Sequence, residues 1–301
     1  MDRFIRTDLA VELKEDLDKE DCLNGVSLSS YMEYGVNVSK ITVKNKAGAK
    51  LLGKPIGNYI TLENKELLQA DESIHEQFVQ VLYNNLEDIL KDAKNILVVG
   101  LGNREVTPDA LGPYVVDNLF ITRHLIQEKL IKDTKILSAI CPGVMAQTGV
   151  ETLYILKGIC KEVKPDVIIA VDALAAREPS RLNTTIQLCD TGISPGSGVG
   201  NHRLSLNEET LGVKVIAIGV PTVISVTSII SEAMEAMVNE LSTRKDKHYE
   251  MDFDESEKFD LVSRLVSPEL ATMFVTPKNI DESVKRISYT ISEAINSFIE
   301  L

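Results

Sequence analysis

The chain has 301 residues, of which 44% are hydrophobic, so it can form a globular protein with a substantial core. Its formal net charge of −13 argues against nucleic acid or an anionic membrane as a direct partner, because both would repel it. The four cysteines have no CxxC spacing, which indicates neither a zinc ribbon nor a thioredoxin-type pair. Reduced thiols in a cytoplasmic protein are therefore expected.

The amino-terminal 24 residues carry both signs of charge and lack the apolar core of a secretory signal. Because no apolar stripe anchors them, they are predicted to form a mobile or detachable lead. The most apolar later stretch, 213–230, contains Lys214 and Pro221. It is interpreted as a strand, a turn and a helix start, so no membrane span is predicted.

The first predicted elements are a β segment and a long helix. Apolar residues roughly alternate over 35–43, and the β signal returns at 59–62, which predicts an antiparallel segment. Ser73 followed by Glu76 has the spacing of a capping box, and apolar residues then recur at helical spacing. A helix is predicted over 73–92.

Strands and helices alternate along the rest of the chain. Strands are predicted at 96–99, 136–140, 167–171, 184–188 and 213–218, and helices near 111–130, 144–163, 223–241 and 280–301. The charged segment 245–260 is predicted to be a solvated excursion. The pattern indicates an α/β fold with a mainly parallel sheet and helices on both faces, plus the amino-terminal antiparallel β segment.

Two aspartates follow buried strands and are the first catalytic candidates. Asp109 lies in the loop after 96–99, and Asp172 directly follows 167–171. Both belong at the carboxyl edge of the sheet, where open α/β sheets usually place their chemistry. If they lie close together, repulsion and partial burial would split their pKa values and leave one base and one acid. The alternative is that Asp109 caps a helix and Asp172 caps a turn.

The glycine-rich segment 190–203 is predicted to fold over the same edge of the sheet. Its glycines resemble a phosphate cradle, but the Lys-Ser/Thr pair of a P-loop and the GxGxxG spacing are both absent. His202 is a candidate general acid or metal ligand, or else a loop histidine that only forms hydrogen bonds. Since no HExxH spacing occurs, neither a metal site nor a cofactor is predicted.

Several sequence blocks together resemble the germination protease family of spore-forming bacteria. They are GLGN, TPDALGP, CPGVMAQTG, VDALAAR, TGISPGSGVGNHR and GVPTVI, and the resemblance runs from about residue 5 to beyond residue 230. It implies an endopeptidase that degrades small acid-soluble spore proteins, which coat DNA. It also implies a fold related to hydrogenase-maturation endopeptidases. The family's proposed catalytic pair, of an atypical aspartic type, corresponds here to Asp109 and Asp172.

The resemblance also gives the amino-terminal lead a meaning. Family members are made as zymogens that cleave themselves near the amino terminus, and the sequence RTDLA at 6–10 resembles such a site. Cleavage is therefore expected between Asp8 and Leu9. This implies a propeptide at 1–8 and a single α/β peptidase domain at 9–301.

The acidic residue before the cleaved bond needs a positively charged partner. Arg104, Arg177 and Arg203 are candidates, and His202 is a further substrate-binding candidate by its loop position. The resemblance implies a homotetramer in the cytoplasm of the spore core. The alternative from another functional class is a phosphate- or nucleotide-binding α/β protein without peptidase activity.

Overall fold

The computed structural model describes residues 7–15, 25–69, 71–200, 203–243 and 266–299. The strands in these ranges are β1 (Val26–Glu33), β2 (Val36–Val43), β3 (Gly57–Glu63), β4 (Asn95–Gly100), β5 (Ile136–Ile140), β6 (Val167–Ala176), β7 (Thr185–Cys189), β8 (Lys214–Ser225) and β9 (Phe274–Val275). They form one sheet in the order β1-β2-β3-β7-β8-β6-β4-β5, and β9 pairs with β8.

The sheet is mixed, with a parallel block beside an antiparallel one. Strands β8, β6, β4 and β5 are parallel, whereas β1, β2, β3 and β7 are antiparallel, as is the pair β7 and β8. The predicted α/β fold and its amino-terminal antiparallel segment are confirmed. Sequence patterning missed β1 because most of its side chains are exposed and show no apolar alternation.

Helices cover both faces of the sheet. They are α1 (Ala10–Glu15), α2 (Lys46–Leu52), α3 (Glu72–Leu90), α4 (Leu111–Asp117), α5 (Arg123–Gln127), α6 (Met145–Thr148), α7 (Thr152–Val163), α8 (Glu208–Leu211), α9 (Val226–Thr243), α10 (Pro268–Ala271) and α11 (Ile280–Asn296). Apolar residues of α3, α4 and α11 form the core on one face, and those of α1, α2, α7 and α8 lie on the other. No helix in the described ranges is both long enough and apolar enough to span a membrane.

Several predicted boundaries were wrong for local reasons. The helix near 111–130 is two helices, α4 and α5, and the helix near 144–163 is divided into α6 and α7 by Gly149 at φ 69°. Helix α3 was predicted to begin at a capping box at Ser73. Its cap is instead Asp71, whose side chain accepts the Ser73 N–H. Strand β8 continues through Pro221, where proline is tolerated because the pairing with β6 shifts register beside it.

The prediction of an unanchored amino-terminal lead was wrong for residues 7–15. Leu9, Ala10 and Val11 are buried and pack with residues of β2, β3 and β6. Three consecutive apolar residues form no helical stripe, so the sequence pattern did not reveal this anchor. The predicted solvated excursion at 245–260 lies outside the described residues.

Candidate active site

A row of three paired residues crosses the centre of the sheet at the candidate site. Asp172 of β6 pairs with Gly219 of β8, which pairs with Gln187 of β7. Directly paired residues on neighbouring strands project to the same face, so Asp172 and Gln187 share the face covered by α1 and α2. Their side chains are 5% and 7% exposed. Between them, the side chain of Leu174 occupies the space that a Cβ on Gly219 would need.

Asp109 is brought to this edge by the loop that follows β4. It ends a 3₁₀ turn at Thr107–Asp109, and its Oδ2 accepts the Asn103 N–H at 2.7 Å. The loop is fixed from the other side by Thr222, the extra residue at the register shift in β8, whose hydroxyl donates to the Pro108 carbonyl at 2.6 Å. Asp109 is thus held by local contacts before any substrate binds.

The structure distinguishes the two capping alternatives. Helix α4 begins after Ala110 with no side-chain cap, so Asp109 does not cap it. Asp172 Oδ1 does accept the N–H of the next residue, Ala173, at 3.0 Å. That bond leaves the second carboxyl oxygen of Asp172 available to a substrate or water.

The two aspartates differ in their electrostatic environment. Burial raises the pKa of Asp172 well above its ordinary value, and the nearby charges of Asp109 and Asp8 raise it further. Burial also raises the pKa of Asp109, but the hydrogen bond from Asn103 opposes that increase. The three carboxyl groups line one cavity of about 380 Å³. The stronger upward shift of the Asp172 pKa means that Asp172 keeps its proton to higher pH than Asp109 does.

Asp8 lies against the end of β6, under the glycine-rich loop. Its N–H donates to the Ala175 carbonyl at 3.0 Å, and its carboxylate accepts the Ala175 N–H at 3.0 Å and the Ser197 hydroxyl at 2.7 Å. A Cβ on Gly198 would lie 2.1 Å from Asp8 Oδ2, so the loop approaches this closely only because residue 198 is glycine. The loop therefore encloses the Asp8 side chain.

The backbone on both sides of the Asp8–Leu9 bond is also bound. The Asp8 carbonyl oxygen accepts hydrogen bonds from Lys54 Nζ at 2.9 Å and Gln187 Nε2 at 3.2 Å. Gln187 Oε1 accepts the Ala10 N–H at 2.7 Å. The chain's own amino-terminal segment is thus held by hydrogen bonds on both sides of the Asp8–Leu9 bond up to the start of α1.

Glu12 provides a second anchor for this segment. Its side chain is fully buried, and its carboxylate accepts the N–H groups of Arg177 at 2.8 Å and Glu178 at 3.0 Å. Arg181 Nη1 lies 3.5 Å from Glu12 Oε1, and the Thr7 hydroxyl donates to Oε2. These contacts compensate the carboxylate for the loss of water.

The arginines predicted to bind substrate make other contacts. Arg104 forms a two-pronged ion pair with Asp117, with Nη2 to Oδ1 at 2.8 Å. Arg203 borders the cavity of the two aspartates, but its Nη1 lies 3.0 Å from Met145 Sδ and 3.9 Å from Glu151. Both guanidinium groups are directed to partners near them in the fold.

Arg177 binds the amino-terminal segment through Glu12, donating from Nη2 to the Glu12 carbonyl at 2.9 Å. The Asp8 carboxylate is instead held by the Ala175 N–H and the Ser197 hydroxyl. The expected arginine partner is therefore corrected to a neutral pair of donors, since a backbone N–H and a hydroxyl already satisfy the carboxylate there.

His202 lies outside the described residues, so its position is not assigned. Across 7–15, 25–69, 71–200, 203–243 and 266–299, no three His, Cys, Asp or Glu side chains are grouped as a metal site requires.

Sequence reasoning missed four residues that contact the amino-terminal segment. Gln187 had a weak signal, since it is a long polar residue inside a buried strand, and Ser197 lay in the loop already singled out. Lys54 had none, because its partner is distant in sequence. Glu12, which lies in the segment itself, had none because its partners are backbone groups just after β6.

Comparison with known proteins gives consistent matches over nearly the whole chain. A family model described as germination protease matches residues 6–251. The germination protease of Caldanaerobacter subterraneus subsp. tengcongensis is 46% identical, covering 97% of this chain and 93% of that protein. The germination protease of Clostridium tetani is 42% identical, covering 97% of this chain and 94% of that protein. The germination protease of Bacillus cereus is 36% identical, covering 97% of this chain and 93% of that protein. A hydrogenase maturation protease from Thermococcus kodakarensis aligns at 18% identity with a TM-score of 0.35, over 70% of this chain and 98% of that one.

Proposed function

This chain belongs to the germination protease family, and we propose that it is an endopeptidase of atypical aspartic type whose catalytic pair is Asp109 and Asp172. The observation that carries the proposal is that both carboxyl groups line one cavity, with their pKa values raised, beside the chain's own bound segment. A protease needs one group that accepts a proton from water and another that donates one to the leaving amine.

The environments of the two aspartates suggest their roles. Ionised Asp109 takes a proton from water while the water oxygen bonds to the carbonyl carbon of the substrate. Protonated Asp172 then gives its proton to the amide nitrogen, and the C–N bond breaks to leave a carboxylic acid and an amine. Proton transfer from Asp109 to Asp172 restores the starting state.

The first substrate in this proposal is the chain itself, cut between Asp8 and Leu9. The contacts of Asp8, Ala10 and Glu12 support this, because they hold the chain on both sides of the Asp8–Leu9 bond beside the aspartates. Residues 1–8 would then be a propeptide and 9–301 the peptidase domain.

The further parts of the proposal are supported by family membership. As the sequence resemblance implies, the proposed substrates are small acid-soluble spore proteins, and the proposed assembly is a homotetramer in the cytoplasm of the spore core; the names of the family and of its members support a role in germination. The alternative of a phosphate-binding protein has less support, since the Ser197 hydroxyl in the glycine-rich loop contacts a carboxylate of this chain.

The test is amino-terminal sequencing of wild type, Asp109→Asn and Asp172→Asn after incubation. Wild type should acquire a new terminus at Leu9, and both variants should keep the original one. Asp88→Asn is the control, because the Asp88 side chain is 91% exposed. Processing of either active-site variant at the wild-type rate would refute the assignment, and an unprocessed wild type would refute self-cleavage.

A further inference from the structure

Two side chains from separate elements converge on one backbone carbonyl oxygen. Lys54, just after α2, and Gln187, in the middle of β7, donate to the Asp8 carbonyl at 2.9 and 3.2 Å. This carbonyl belongs to the peptide bond that the proposed function has the enzyme cleave. Two donors on a carbonyl oxygen are the arrangement that stabilises a tetrahedral intermediate in acyl transfer.

The orientation of Gln187 is fixed before any reaction. Its Oε1 accepts the Ala10 N–H at 2.7 Å, which places Nε2 toward the Asp8 carbonyl. The side chain is 7% exposed and lies between paired strands. A donor held in this way needs little reorganisation when charge develops on the carbonyl oxygen.

Lys54 supplies the positive charge at this position. The nearby carboxylate groups of Asp8 and Asp109 would oppose the formation of another negative charge. A lysine ammonium on the carbonyl oxygen offsets that repulsion at the atom that becomes negative. The arginines expected near Asp8 do not contact its carbonyl oxygen. Arg104, for example, pairs with Asp117.

We propose that Lys54 and Gln187 bind and polarise the carbonyl oxygen of the bond to be cleaved, in this chain and in protein substrates that take the place of residues 7–12. The inference rests on the proposed function. When water adds to the carbonyl carbon, the C=O electron pair moves to the oxygen, and both donors stabilise it through hydrogen bonds. They transfer no proton, so the proton steps remain with the two aspartates.

The test uses the full chain and a peptide with the sequence of residues 4–15. Lys54→Met should lower kcat about 10²–10³-fold with KM within about threefold of wild type, since the donors act mainly on the transition state. Lys54→Arg should recover part of the rate. Lys46→Met, which removes the same charge from an exposed position on α2, should leave both constants unchanged.

A second measurement separates polarisation from simple anchoring. A peptide analogue with a phosphinate in place of the scissile carbonyl carries its negative charge where the oxyanion forms. Lys54→Met should weaken inhibition by this analogue about 10²-fold, while inhibition by the reduced methylene analogue, which lacks the oxygen, stays unchanged. Gln187→Glu, which replaces the donor by an acceptor of the same size, should shift both readouts in the same direction.

The outcomes distinguish this inference from the proposed function. If Lys54→Met and Gln187→Glu raise KM but leave kcat and phosphinate inhibition at wild-type values, the pair only anchors the peptide and the inference is overturned. If wild type cuts neither itself nor the peptide, both proposals are wrong. If one variant melts far below wild type, the other variant and Lys54→Arg decide the matter.

Discussion

Asp172, which we propose as a catalytic residue, illustrates how a buried carboxyl group can reduce the stability of the fold that contains it. It is 5% exposed, and burial together with the charges of Asp109 and Asp8 raises its pKa. The folded state therefore binds a proton at this site more tightly than the unfolded state does. The free energy of unfolding should fall as pH rises from the ordinary carboxyl range through the raised pKa.

Asp172→Asn tests this linkage. Asparagine mimics the protonated form and keeps an oxygen for the Ala173 N–H. The variant should be more stable than wild type at pH 8, and the difference should shrink as pH approaches 4. Urea denaturation across this pH range measures it. A stability difference that stays constant at every pH would contradict the link to titration.

Gly198 is the residue whose missing side chain makes room for Asp8. A Cβ there would lie 2.1 Å from Asp8 Oδ2 and 2.8 Å from the Ala175 Cβ. Gly198→Ala should displace the carboxylate from its donors, which contribute about 1.5–3 kcal/mol each at a charged group. Self-processing should therefore slow about 10-fold or more, as measured by the rate at which the Leu9 terminus appears.

The matched control for this change is Gly158→Ala. Gly158 lies within α7 with open space where a Cβ would go. Alanine there should stabilise the helix by up to about 1 kcal/mol and leave processing unchanged. Equal processing rates in the two alanine variants would show that the glycine-rich loop does not define the Asp8 site.

At the scale of elements, one buried carboxylate binds α1 to the segment that follows β6. Glu12 accepts the N–H groups of Arg177 and Glu178 and lies 3.5 Å from Arg181 Nη1. Arg181 also pairs with Glu63 at 2.9 Å, so it keeps a partner when Glu12 is removed.

Glu12→Ala should therefore loosen α1 without leaving an uncompensated buried cation. We expect a loss of about 1–3 kcal/mol in the free energy of unfolding and slower self-processing, because the segment loses its second anchor. Chemical denaturation and the rate of Leu9 terminus formation measure the two effects. Glu87→Ala on the exposed side of α3 is the control, and equal processing in both variants would exclude an anchoring role for Glu12.

The elements that sequence reasoning recovered are those whose signal is local. Buried parallel strands are continuous apolar runs, so β4 and β6 were predictable, and with them the edge that carries Asp109 and Asp172. Strand β1 was not predictable, because it has no apolar pattern. Its backbone pairing with β2 keeps it in the sheet.

The same distinction holds within the site. Asp109 follows the end of β4, and Asp172 follows the apolar run 167–171 although β6 continues to Ala176, so both could be named from position alone. Lys54 could not, because its partner is a backbone carbonyl 46 residues away. The arginine expected at Asp8 was wrong because charge matching ignores backbone donors, which carry no signature in the sequence.

For the whole molecule, the net charge of −13 bears on how the enzyme would meet the proposed substrates, small acid-soluble spore proteins that coat DNA. Duplex DNA repels an acidic protein, and the repulsion falls as salt screens it. Substrate proteins that coat DNA should therefore be cut mainly after release, when they are unfolded and separated from the polyanion.

Adding duplex DNA should slow cleavage of a small acid-soluble spore protein while leaving unchanged the cleavage of a peptide with the sequence of residues 4–15. Raising the salt concentration should then restore the rate on the protein substrate, because phosphate contacts that hold it to DNA weaken with salt. Gel analysis of both substrates in parallel, with and without DNA, measures the effect. If DNA slowed peptide cleavage as strongly as protein cleavage, the enzyme itself would bind DNA, and protection of the substrate would not explain the result.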